Sequence, residues 1–173
     1  MACLSMVLYR RSHKLYDQEE LAIIFGVKIG EKYKNAFRES LDFITSHNYD
    51  EGINTLESIE QIQAFLTQEW YHLNIERYQF ENVNKLEDFL IKNINMNYDI
   101  WCEYIAWDIY DYTRSSSIYI HDGLIETYDA HQKIITIIDP EPEHKNRYTI
   151  WIVEFFDRIS GKYGRKTGCL IIS

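Results

Sequence analysis

Three cysteines, six histidines and a spread of carboxylates are the groups in this chain that could do chemistry. The cysteines (Cys3, Cys102 and Cys169) form no C-x₂-C pair, and the histidines form no H-x₃-H or H-E-x-x-H spacing, so no metal or other cofactor is expected. A thiol becomes a nucleophile when a base takes its proton, and that base needs a polar group to orient it. Cys102 and Cys169 fall in apolar runs where buried thiols are usual. His121 lies near the start of one strand-like run, 118–128, and Asp139 follows the next, 133–138. Antiparallel neighbours of this kind bring side chains within reach across a ladder. Each residue also has a plain reading: a half-exposed strand histidine near a turn, and an Asp-Pro turn opener. Both readings stand at this point.

The elements that must position these groups follow from periodicity. Cys3, Leu4, Val7 and Leu8 form an apolar stripe that predicts a helix over 3–11. Asp17 with Glu20 reads as a capping box for a helix over 17–25, with Leu21, Ile24 and Phe25 inward and Gly26 as its stop. A further helix is expected within 31–46, through Phe37, Leu41 and Ile44. Another, capped by Asn54 or Thr55, carries Leu56, Ile59, Ile62, Phe65 and Leu66. After a strand near 71–78 and a short helix around Leu86, Phe89 and Leu90, the chain turns mostly to strands: 100–107, 118–128, 133–138 and 169–172. Tyr148 and Ile150 lead into a helix or turn at 153–158. Helices first and strands afterwards predict an α+β domain. One domain over 1–173 is expected, helical to about residue 93 and β beyond it.

At 173 residues, 46% hydrophobic and 26% charged, the chain is long enough for one core and too apolar for disorder. Only two prolines and seven glycines leave no linker to divide it. The net charge of −9 repels phosphate backbones and argues against a nucleic-acid partner. No run of eighteen apolar residues exists to span a membrane. The first residues place apolar side chains before charges, the reverse of a secretory signal. With an odd number of unpaired cysteines, that predicts a reducing, cytoplasmic location.

The segment His121-Asp122-Gly123-Leu124-Ile125-Glu126-Thr127-Tyr128-Asp129, followed by Ile137-Ile138-Asp139-Pro140, resembles the bacteriocin-processing branch of the papain-like cysteine peptidases and its peptidase-like relatives. That family shows a His opening a strand, a Gly-Tyr-Asp-like turn six residues on, and Asp-Pro after the following strand; here Thr127 replaces the glycine. Leu4 to Leu8 is similar to the helix after the family's nucleophile, and Asp17 to Ala22 to its second helix. Asn54-Thr55, Leu86-Glu87-Asp88 and Gly168 to Ile172 also match in order. The resemblance implies a papain-like fold, with N-terminal helices packed on a C-terminal antiparallel sheet, and a peptide or protein substrate. It implies His121 as base and general acid, Asp139 as the carboxylate that orients it, and a cysteine nucleophile, for which Cys3 is the candidate in this sequence.

The family pattern sets its cysteine five residues before the Leu-x-Met-Val-Leu stretch, whereas Cys3 precedes Leu4 by one. Four residues of helix amount to about 6 Å of rise, and in that register Cys3 is a packing residue by default. The oxyanion glutamine of the family has no counterpart; losing such a donor costs about 10²–10³ in rate. Three expectations follow, in order: a nucleophile encoded upstream of Met1, a non-catalytic relative that binds peptides, or a re-registered first helix with Cys3 active. The aromatic stretch Trp101, Tyr104, Trp107, Tyr110 and Tyr112 reads as core and sheet surface that also walls a cleft. Trp107, Asp108 and Asp122 are the expected substrate-binding residues, and Glu103 and Asp111 add to an acidic lining that favours neutral or basic peptides. Guanylyl cyclases described among eukaryotic relatives of this fold would need paired metal-binding carboxylates or a phosphate loop, and the sequence carries neither motif.

Overall fold

The computed structural model describes residues 1–30, 35, 38, 44–46, 59–69, 72–105, 120–140 and 146–173. Contacts divide the chain into two compact units, Met1–Glu69 and Trp70–Ser173. Together they carry helices and an antiparallel sheet, the α+β class expected from the order of elements.

In the first unit, α1 (Ala2–Ser12) buries Cys3, Leu4, Val7 and Leu8, the stripe read from the sequence. His13 ends it in the left-handed region at φ 58°. Asp17 caps α2 (Gln18–Ile24), its carboxylate accepting from the backbone N–H groups of Glu19 and Glu20. Leu21 and Phe25 point inward, but Ile24 is exposed. It lies roughly 100° around the helix axis from the stripe of Leu21, Ala22 and Phe25, so its expected place in the core is corrected. Two short parallel strands follow, β1 (Lys28–Gly30) and β2 (Ile44–Ser46). Residue 44 is therefore in a strand, and the rest of the helix expected over 31–46 falls almost wholly outside the described residues. Helix α3 (Ile59–Gln68) buries Ile62, Phe65 and Leu66. The Phe65 ring meets Phe25 edge-on at 5.4 Å and Tyr16 at 5.8 Å. Beside them the Glu69 carboxylate accepts from the Tyr16 hydroxyl and from Lys14, which together hold it below the usual carboxylate range.

The second unit is a six-stranded antiparallel sheet. Its strands are β3 (Ile75–Tyr78), β4 (Asp99–Ile105), β5 (Ile120–Asp129), β6 (Ile134–Ile138), β7 (Arg147–Trp151) and β8 (Gly168–Ile172), in the spatial order β3-β8-β4-β5-β6-β7. The helices packed on this sheet within the unit are α4 (Val83–Asn95) and α5 (Ile152–Ile159). Thus α4, grouped with the helical part in the sequence reading, belongs with the strands. Asn82 caps α4 through the Lys85 N–H at 3.0 Å. Leu86, Phe89 and Leu90 of α4, and Ile152, Phe155 and Ile159 of α5, lie at helical spacing over Ile100, Cys102, Tyr104, Ile125, Ile135, Ile137, Ile150, Cys169 and Ile171.

The register assigns every strand residue to a face. On β4 and β5, Ile100, Cys102 and Tyr104 lie opposite Ile125, Gly123 and His121, all turned toward α4 and α5. Trp101 and Glu103 lie opposite Leu124 and Asp122 on the other face. Among the described residues, no helix is long and apolar enough to cross a membrane.

Candidate active site

The hairpin of β5 and β6 decides where the chemistry-bearing side chains go. Leu124 pairs with Ile138, so one step outward the ladder sets Asp139 beside Gly123, diagonal to His121 and on the same face. The Asp139 N–H donates to the Asn146 carbonyl at 3.1 Å, which extends the pairing of β6 with the strand after it. His121 Nε2 stands 2.7 Å from Asp139 Oδ1. Both side chains are buried, 7% exposed for His121 and 0% for Asp139. An ionised carboxylate only accepts, so in that state Nε2 carries the proton and Nδ1 is the basic nitrogen. The half-exposed strand histidine of the plain reading is thus a buried and oriented one.

The surroundings are aromatic. The Tyr104 ring meets the His121 ring edge-on, 5.8 Å between centroids and 83° between planes. Behind it stand Tyr148 and Phe155, each 6.2 Å away. Burial drives the Tyr104 hydroxyl far above its ordinary pKa, with Tyr148 and Cys102 adding to the effect, and burial does the same to Tyr148. Both phenols stay protonated, so neither serves as a base. Arg158, on α5, is a buried cation at the end of β4: Nη1 donates to the Ile105 carbonyl and Nη2 to Glu154, each at 2.8 Å.

The remaining expected site residues separate from this pair. Asp122 lies on the opposite face of β5, where Oδ1 accepts from Trp101 Nε1 at 3.1 Å. Glu103, directly across from Asp122, shares that face. Strand alternation therefore removes both from any acidic lining around His121. Trp107, Asp108 and Asp111 lie outside the described residues. Cys3 sits in the first turn of α1, in the first unit, 2% exposed. Cys102 is fully buried, its thiol donating to the Gly123 carbonyl at 3.3 Å, and burial pushes the Cys169 thiol up. A buried thiol whose ionisation is opposed in this way is a packing group.

Sequence reasoning named Tyr104 only as part of an aromatic stretch and passed over Gly123. A glycine inside a strand signals close approach of something else, and here a Cβ would lie 2.6 Å from Ile137 Cγ2 and 3.3 Å from Tyr104 Cε1. Arg158 carried no signal, since a charged residue near the end of a short helix reads as solvated. What the described groups can do together is hold one imidazole in one tautomer and keep water from its carboxylate. Comparison of the sequence with models of known families and with curated proteins finds no match to either.

Proposed function

We propose that this chain is a papain-like cysteine peptidase-type protein, in which His121 and Asp139 serve thiol chemistry on a peptide or amide bond. The observation that supports the reading is the buried 2.7 Å contact between the two side chains. In the proposed reaction Asp139 holds the Nε2 proton, and Nδ1 takes the proton of a cysteine thiol. The thiolate adds to the substrate carbonyl. The amine leaves with the proton that Nδ1 returns, giving a thioester, and water activated by the same nitrogen hydrolyses it and restores the thiol. Cys3 is the cysteine proposed for that role, through a first helix re-registered relative to the family pattern. The odd number of cysteines, all three outside any disulfide, fits a reducing compartment, and the cytoplasm is the proposed place of the activity.

One observation favours a second reading, a peptide-binding protein that keeps the peptidase fold without turnover: all three cysteines are buried. The two separate by reaction with an electrophilic peptidyl probe such as a peptide vinyl sulfone. The peptidase reading expects a stoichiometric adduct on Cys3 that His121→Ala abolishes while the fold persists. A folded protein that gives no adduct on any cysteine over hours, yet binds peptides with equal affinity before and after Cys3→Ala, removes the peptidase reading and leaves the binding one.

A further inference from the structure

The ring opposite the histidine does more than fill space. Tyr104 is the direct cross-strand partner of His121 and is fully buried. Its plane stands at 83° to the imidazole, and Tyr148 and Phe155 back it at 6.2 Å. Its Cε1 reaches over Gly123, the residue between His121 and Ile125 on that face, where a Cβ would lie only 3.3 Å away. An aromatic laid over a strand glycine from the neighbouring strand is a recognised way to cover the gap the glycine leaves. Here the same gap adjoins the diagonal from His121 to Asp139. The volume into which the imidazole could swing away from its carboxylate is therefore occupied by a planar group that is itself held in place.

We infer that Tyr104 is a positioning residue for His121: its ring, laid over Gly123, confines the imidazole to the orientation in which Nε2 meets Asp139. The inference rests on the reading of His121 and Asp139 as the working pair, and it assigns that pair a third member from the adjacent strand. The role belongs to the ring and not to the hydroxyl. A flexible chain of similar bulk leaves the imidazole two or more rotamers, and the tautomer is no longer fixed by one acceptor.

The test reads the histidine directly and needs no turnover. In ¹⁵N-resolved long-range spectra, the wild-type protein at neutral pH gives His121 as a single Nε2-protonated tautomer, and Asp139→Ala averages the two ring nitrogens. Tyr104→Phe is expected to keep the wild-type pattern. Tyr104→Met, which restores volume without a plane, is expected to move His121 at least halfway toward the Asp139→Ala pattern. Should Tyr104→Met not fold, Phe155→Leu withdraws the backing of the ring and is expected to move His121 in the same direction by a smaller amount. A folded Tyr104→Met or Phe155→Leu protein with the wild-type His121 pattern overturns the role of Tyr104 and leaves the pair intact. A wild-type protein in which Asp139→Ala changes nothing at His121 overturns the pair, and the inference with it.

Discussion

Replacing Asp139 by alanine tests the centre of the site through stability alone. The lost contact is 2.7 Å long between side chains 7% and 0% exposed, so solvent offers little screening. A hydrogen bond to a charged group contributes about 1.5–3 kcal/mol, and a buried donor left without an acceptor costs about 1–3 kcal/mol more. The sum, about 2.5–6 kcal/mol, brackets the roughly 3–5 kcal/mol known for breaking a buried pair from one side. Asp139→Asn differs, because its amide oxygen accepts the same Nε2 proton; its cost is about 1 kcal/mol. With a urea dependence of about 2 kcal/mol per molar, Asp139→Ala moves the unfolding midpoint down by on the order of 2 M and Asp139→Asn by about 0.5 M. Tryptophan fluorescence across a urea series gives both. A cycle with His121→Ala isolates the coupling, expected at about 1.5–3 kcal/mol. Equal midpoints for the alanine and asparagine variants, or a coupling under about 0.5 kcal/mol, would refute the claim that this contact is made and buried.

Three further outcomes follow from the second unit. The Lys133 ammonium and then the Tyr128 hydroxyl hold Glu87 below its ordinary value of 4.5, so its contribution is complete above that value and is lost as pH falls through the lower folded one. Glu87→Gln flattens the acid limb of a stability-against-pH curve by no more than about 1 kcal/mol, since Lys133 is half exposed; parallel curves count against it. Gly168→Ala sets a Cβ 2.3 Å from the Tyr78 carbonyl oxygen, a backbone atom that cannot yield without parting β3 from β8. The expected loss is about 1–3 kcal/mol in denaturant titration, and a neutral result contradicts that register. Arg158→Ala strips the Ile105 carbonyl of a buried donor and is expected to cost about 2–4 kcal/mol, whereas Glu154→Ala, on the solvent side of the same ion pair, costs under about 0.5 kcal/mol. Similar losses for the two would mean that the exposed half carries the interaction.

How much of this was legible depended on whether a residue's environment is set locally or across the sheet. Helix α1 could be read because Leu4, Val7 and Leu8 repeat at helical spacing, and the start of α2 because Asp17 caps through the N–H groups of Glu19 and Glu20. Strand β7, reduced in the sequence reading to a lead-in, pairs along its whole length with β6. Strands β4 and β8 stand near the middle of the sheet and are buried on both faces. Such strands show no alternation, so nothing in the run from Asp99 to Ile105 reveals which face Tyr104 takes. His121 and Asp139 were named through the family resemblance, whose motif lies at two strand ends. Gly123 and Tyr104 gain their meaning only from pairing, over a separation in sequence that periodicity does not span. The acidic lining inferred from Glu103 and Asp122 failed for the same reason: nearness in sequence to Tyr104 and His121 meant the opposite side of the sheet.

The irregularity in β5 explains how one strand serves two neighbours at once. Up to Ile125 the residues facing α4 and α5 are odd-numbered: His121, Gly123 and Ile125. Beyond the shift between Ile125 and Thr127, the partner of Ile135 is Tyr128, and its ring packs against the same core while its hydroxyl donates to Glu87. A regular strand of this length would alternate, and Tyr128 would then fall on the face of Asp122. The bulge takes up one residue, so Glu126 and Thr127 both turn outward, and Glu126 meets Arg147 there. The imidazole at one end of the strand and the tyrosine at the other can therefore both face the helices. A Thr-Tyr-Asp stretch six residues after a histidine, here the end of β5 and not a turn, is compatible with a buried pair because the ladder absorbs one residue between them, and the spacing alone does not express that.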